Sequence, residues 1–201
     1  MKRKTRNPEK TKQEIIEKAS PVFNQYGIAG TRLDMLVEAT GYQKGGIYNH
    51  FDSKEDLARV VYQYNLQLLK DNYKEEVEKE STPNKKLLAY INGLKKSIIV
   101  PPVQGGCPLL NIAIESDDTD EINRLLVKDF INDWKNNLAL ILQEGIDKEV
   151  FRATINPTQE AFFIIASIEG SIMLGRAKRS TSLMLSIADN QERYIKAQIF
   201  K

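Results

Sequence analysis

The stretch from Thr31 to Phe51, TRLDMLVEATGYQKGGIYNHF, decides the fold. Leu33, Leu36 and Val37 recur at helical spacing up to Gly41, a residue suited to the left-handed turn that ends a helix. A second short helix is expected from about Gln43, in which Ile47 and Phe51, four apart, share a buried face. Its opposite face then carries Gly45 and Asn49, flanked by Gly46 and Tyr48. Each of two adjacent glycines costs a helix about 1 kcal/mol relative to alanine. A loop would account for them, and so would close approach of the backbone to a partner. Lys44 ahead of them and Tyr48, Asn49 and His50 behind them supply groups that bond phosphates and base edges. On these residues alone, DNA binding and a plain three-helix subdomain both stand.

Upstream, Ile15, Ile16, Ala19, Val22, Phe23 and Tyr26 form one face of a helix running from Pro8, with Gly27 as its end. Pro21 lies inside that pattern and predicts a kink or break near Ala19–Ser20. Thr31 is expected to cap the next helix, about Arg32 to Thr40, with Asp34 as a short capping-box carboxylate. Residues 1–7 read as a basic arm, either a solvated tail or a contact to DNA phosphates or a minor groove.

Composition bounds the rest. The 201 residues are 41% hydrophobic and 28% charged, an ordinary globular balance with room for one large domain or for a small domain joined to a larger one. Net charge is only +2, so nucleic-acid binding needs a local basic region. Residues 1–54 hold ten Lys and Arg against six acids, a local excess of +4. One cysteine, Cys107, excludes an intramolecular disulfide framework and fits a reducing compartment. No apolar run follows Met1, and runs such as AFFIIASI fall far short of the roughly 20 residues a membrane helix needs. The expected location is cytoplasmic, away from any membrane. No cofactor is called for. His50, the sole histidine, cannot build a multi-histidine metal site. The cluster Asp117, Asp118, Asp120 and Glu121 lacks calcium-loop spacing and reads as helix N-terminal charge.

Downstream the chain is helical throughout. Ser53 is expected to cap a long helix reaching about Glu80, closed by Ser81-Thr82-Pro83-Asn84. A helix over about Asn84–Ile99 ends before Pro101-Pro102, and Gly105-Gly106-Cys107-Pro108 opens a short one. Long helices follow over about Thr119–Lys148, Thr158–Lys178 and Thr181–Phe200. The second of these is apolar around much of its circumference and carries small residues four apart, which permits close helix approach.

The segment GTRLDMLVEATGYQKGGIYNHFDSKEDL (residues 30–57) resembles the N-terminal helix-turn-helix of TetR-family transcriptional regulators. The matching positions are Thr31, Gly41, Lys44, Gly45, Ile47, Tyr48, His50, Phe51, Ser53, Lys54, Glu55 and Leu57, within a segment that is about a seventh of the chain. The resemblance implies an all-α protein of about nine helices. A three-helix DNA-binding domain over 1–52 (turn and recognition helix about 32–51) would precede a larger helical effector-binding and dimerisation domain over 53–201. It places Thr31 and Arg32 against phosphate, Gln43 and Lys44 on base edges, and Tyr48, His50 and Lys54 on the DNA backbone, with Gly45, Gly46 and Asn49 on the same face. Gln43, where a small hydroxyl residue is usual, and Gly46, where Ser, Thr or Ala is usual, depart from the pattern. Tyr42 replaces a small aliphatic residue and is expected to face solvent or DNA.

The function so implied is a ligand-responsive regulator, a homodimer on a palindromic operator and most often a repressor. Its effector would be an unknown, largely apolar small molecule. Candidate pocket residues are Tyr90, Leu110, Ile114, Phe130, Trp134, Phe162 and Met173. Candidate dimer-interface residues are Ala166, Ser167, Gly170, Ser171, Leu174 and Gly175. Two other readings remain: an all-helical interaction protein without DNA binding, and a redox or electrophile sensor acting through Cys107. Catalysis is not expected, since no base other than the distant His50 accompanies that thiol.

Overall fold

A computed structural model describes residues 7–201; the expected basic arm falls almost wholly on residues 1–6, outside them. Nine α-helices make up the described chain: α1 (Pro8–Gly30), α2 (Leu33–Thr40), α3 (Lys44–Tyr48), α4 (Lys54–Glu78), α5 (Pro83–Ile99), α6 (Pro108–Ser116), α7 (Glu121–Asp147), α8 (Pro157–Ala177) and α9 (Thr181–Tyr194). A π-helical turn, Ile195–Ile199, extends the last. The chain divides into two compact units. One holds residues 1–68 and 103–124, the other 69–102 and 125–201. Where a contiguous division after residue 52 was expected, the first unit therefore includes the opening of α4 and all of α6.

In the first unit, the Asn7 side chain accepts from Glu9 N (3.1 Å) and Pro8 opens α1. The expected break near Ala19–Ser20 does not occur: α1 runs through Pro21. The carbonyl that Pro21 leaves without a donor belongs to Glu17, which is exposed, so water can satisfy it. The departure from helix comes instead at Gly27 (φ 66°, ψ −175°). Ile15, Ala19, Phe23, Leu36, Ile47, Phe51, Leu57 and Val61 form the core. Ser20 donates to Asn65 Oδ1 (2.6 Å) within it. Asn24 holds the loop before α6, its amide donating to the carbonyls of Gln104 (2.9 Å) and Gly106 (3.2 Å), while Asn111 donates to the carbonyl of Asn24 (2.8 Å). Gly105 (φ 116°) allows this close packing, for a Cβ there would lie 2.9 Å from the Asn24 carbonyl.

The second unit is closed by α8 and α9 with α5. Gln191 donates to the Ile164 carbonyl (2.9 Å), and Lys95 bridges Asp189 (2.7 Å) and Glu192 (2.8 Å). At its end Phe200 stacks on Phe151, with ring centroids 5.2 Å apart, and an isolated antiparallel bridge joins the same two residues. No helix among the described residues is long and apolar enough to cross a membrane.

Candidate nucleic-acid interface and ligand cavity

Gly41, at φ 73°, ends α2 and donates to the Val37 carbonyl (2.9 Å), the left-handed cap its sequence predicted. The chain then turns into α3, anchored by Ile47 (0% exposed) and Phe51 (2%), as the four-residue spacing requires. On the outer side Gln43, Lys44, Gly45 and Asn49 are exposed, and Tyr48, His50 and Gly46 half-buried. A Cβ on Gly45 would meet nothing within 4 Å, so open space lies over that point of the backbone. Gly46 is not forced by crowding, since its Cβ would sit at ordinary contact distance, 3.6 Å, from Tyr42. No side chain caps α3, in line with Gln43 at its start.

Three residues expected on DNA have other partners. The Thr31 hydroxyl donates to the Gly27 carbonyl (2.6 Å) and the residue is 1% exposed. It closes the end of α1 instead of capping α2, whose N-cap is Arg32, without a side-chain bond. Tyr42 is 7% exposed, and its hydroxyl donates to Glu14 (2.7 Å) on α1 instead of facing outward. Lys54 donates to the carbonyls of Ile28 (2.7 Å) and Thr31 (3.1 Å), a cation at the C-terminal end of α1. Arg32 is exposed and pairs with Asp34 (3.1 Å), whose carboxylate that contact holds below its ordinary range. Ser53 caps α4 as expected, accepting from Asp56 N (3.0 Å), and the Asp56 carboxylate accepts in turn from Asp52 N (3.1 Å).

Glu115, near the end of α6, was not singled out from sequence, and it completes this head. Its carboxylate accepts from the backbone N–H groups of Ile28 (2.6 Å) and Ala29 (3.1 Å) and from the Tyr62 hydroxyl (2.5 Å). A Cβ on Gly27 would lie 2.6 Å from its Oε1, so glycine there admits both the positive φ and the carboxylate. Burial, and then the carboxylate, push the Tyr62 phenol well above its ordinary range and keep it a donor.

In the second unit a cavity of about 740 Å³ opens between the end of α4, the start of α5 and α7. It gathers Tyr90, Phe130 and Trp134 of the seven pocket candidates, together with Tyr73 and Ile141. The other four do not line it. Leu110 and Ile114 stand on α6 in the first unit, and Phe162 (44% exposed) and Met173 (49%) lie on the outside of α8. Phe162, Phe163, Ala166, Met173 and Leu174 are exposed and Gly170 half-buried, and all six fall within about 120° of the α8 circumference. Ser167 is half-buried beside this stripe. Ser171 and Gly175 turn inward: Ser171 donates to the Ile168 carbonyl (2.7 Å), and a Cβ on Gly175 would strike Met184 of α9 at 2.0 Å. Cys107 is buried ahead of α6. No group of three or more His, Cys, Asp or Glu able to hold a metal occurs among the described residues.

A three-helix head with an open recognition helix, joined to a helical unit with its own cavity, defines a helix-turn-helix DNA-binding regulator. Residues 15–61 match the family described as bacterial regulatory proteins, tetR family, and residues 83–189 match the tetracyclin repressor-like C-terminal domain. A TetR transcriptional regulator from Chloroflexus aurantiacus J-10-FL is 31% identical, with 96% of this chain and 98% of that one covered and a TM-score of 0.91. A TetR-family regulator from Cytophaga hutchinsonii is 34% identical over 99% of this chain and 100% of that one, with a TM-score of 0.86. The HTH-type transcriptional repressor DhaR of Mycobacterium sp. (strain GP1) is 26% identical over 171 residues, 84% of either chain. The chain belongs to the TetR family of bacterial transcriptional regulators.

Proposed function

We propose that this protein is a cytoplasmic, homodimeric repressor that holds a palindromic operator and releases it when a small molecule enters the cavity of its second unit. The observation that carries the DNA reading is the outer face of α3, where Gln43, Lys44 and Asn49 surround a stretch of backbone with open space above Gly45. Lys44 suits guanine O6/N7 and Gln43 suits adenine N6/N7, while Arg32, Tyr48 and His50 serve the phosphates. Thr31, Tyr42 and Lys54 support the head from behind. Two such heads would read half-sites about 34 Å apart, or a multiple of that turn. The open apolar stripe on α8, free of crowding at Gly170, supports pairing of two copies through that helix. Helix α4 belongs to both units: Tyr73 and Val77 line the cavity, and Lys54 in its first turn grips α1. A ligand that prefers one position of α4 would then oppose DNA by reciprocal linkage.

Selection of bound duplexes from random DNA tests this reading, giving specificity and half-site spacing together. A two-fold symmetric consensus is expected, bound with steep salt dependence and lost in Lys44→Ala/Gln43→Ala. Failure to enrich any sequence would overturn it.

A further inference from the structure

The cavity in the second unit is built from flat rings. Tyr73 stacks on Tyr90 with centroids 5.8 Å apart and planes 27° apart, and lies against Trp134 at 5.1 Å and 38°. Phe130 meets Trp134 edge-on at 6.2 Å. Trp134 is 6% exposed, yet its indole N–H has no hydrogen-bond acceptor among the described residues. A buried donor without a partner is uncommon in a folded protein, and it marks a place where a missing acceptor would be favourable. Burial alone also pushes the Tyr90 phenol up to about 12, so an un-ionised hydroxyl borders the same space.

The charges around the cavity cancel nearly pair by pair. Lys70 meets Asp133 at 3.3 Å, Lys74 meets Glu78 at 3.6 Å and Lys86 meets Glu144 at 3.1 Å. Glu80 alone of the lining acids has no lysine within ion-pair distance among the described residues. A cationic guest would gain that single carboxylate, but it would leave the indole N–H without an acceptor. The indole N–H is closed to solvent as the ring stands, so a guest with an acceptor satisfies it by drawing the Trp134 ring toward the cavity, and needs no charge of its own.

We infer that the effector is a neutral, planar, conjugated molecule that lies against the Tyr73–Tyr90–Trp134 rings and accepts a hydrogen bond from the Trp134 indole through a carbonyl or ether oxygen. The inference rests on the reading of this cavity as the effector site. A volume of about 740 Å³ is ample for two or three fused rings.

Trp134 is the sole tryptophan, so the ¹⁵N-labelled protein has one indole N–H resonance, and it belongs to the site. Three bicyclic probes of similar outline separate the chemistries: coumarin (neutral, with a carbonyl acceptor), naphthalene (neutral, without one) and N-methylquinolinium (cationic). Coumarin is expected to shift the indole resonance saturably and downfield, and to bind about tenfold more tightly than naphthalene. By calorimetry Trp134→Phe, which keeps a ring but removes the donor, should erase that tenfold preference while leaving naphthalene binding nearly unchanged. Equal binding of coumarin and naphthalene overturns the inference, as does preference for N-methylquinolinium or an indole resonance that no probe moves up to its solubility limit. The wild-type titrations decide the matter even if the variant fails to fold. Failure here with a selected operator still bound removes the ligand class and leaves the DNA reading standing.

Discussion

Removing the Glu115 carboxylate should loosen the DNA-reading head from a position 83 residues downstream of Arg32. In Glu115→Ala three donors lose their acceptor. The Tyr62 hydroxyl belongs to a residue only 2% exposed, so stranding it costs about 1–3 kcal/mol. The half-buried Ile28 N–H adds about 1 kcal/mol, and the Ala29 N–H is exposed enough for water to replace the bond. The first unit should therefore lose about 2–4 kcal/mol. Glu115→Gln keeps the shape and one acceptor but not the charge, and should lose about half as much. Denaturant unfolding gives the total, and hydrogen exchange over residues 26–32 gives the local part, which should speed in parallel. Operator affinity should fall with it, since the carboxylate holds the end of α1 from which Arg32 and α2 depart. In a double-mutant cycle Tyr62→Phe should recover about 1 kcal/mol of the Glu115→Ala loss, because the stranded donor is gone. Stability within about 0.5 kcal/mol of the parent, with unchanged exchange, would refute the reasoning.

Gly41→Ala should cost about 1 kcal/mol for its left-handed backbone alone, because a Cβ there meets open space, whereas Gly27→Ala must exceed that by displacing Glu115; parallel denaturant melts check the order. Lys44→Ala should cost operator binding about 1–3 kcal/mol and relax specificity at the base it reads, while Lys54→Met should lower stability and leave specificity unchanged; operator titrations against single-base variants check both. Glu192, held at about 2 by Lys196 and Lys95, favours folding fully above its ordinary 4.5, and this contribution fades as pH falls from there toward 2. Glu192→Gln should flatten the acid limb of a stability–pH curve in that window. Phe162→Glu, on the open stripe of α8, should shift sedimentation from dimer to monomer without unfolding the chain; a persistent dimer would exclude that face.

The parts legible in the sequence rest on contacts between near neighbours. Ile47 and Phe51 share a face because they are four apart, Gly41 ends α2 because only a few residues accept its φ, and Ser53 caps a helix whose partner lies three residues on. Where the reading differs, a partner is distant or competes locally. Tyr42 reads as outward until Glu14, 28 residues back, supplies an acceptor. Lys54 matches a family position, but its Nζ is engaged by carbonyls 23 and 26 residues upstream. Thr31 had two routes, capping forward or bonding back to Gly27, and spacing alone does not choose between them. Of the pocket candidates, the aromatics of α5 and α7 meet in one cavity, while the apolar residues of α8 face outward. Apolar character marks a covered face without saying what covers it.

Because α6 folds with the head, the modular boundary of this regulator is not a single cut. A chimera that exchanges operator specificity by grafting residues 1–52 onto another member would inherit the recipient's α6, and with it whatever residue stands where Glu115 does. The grafted turn at Gly27 would then face a foreign side chain in a space shaped for a carboxylate. Carrying residues 103–124 along with 1–68 transfers the Ile28, Ala29 and Tyr62 donors together with their acceptor, so a productive exchange of specificity takes three crossovers.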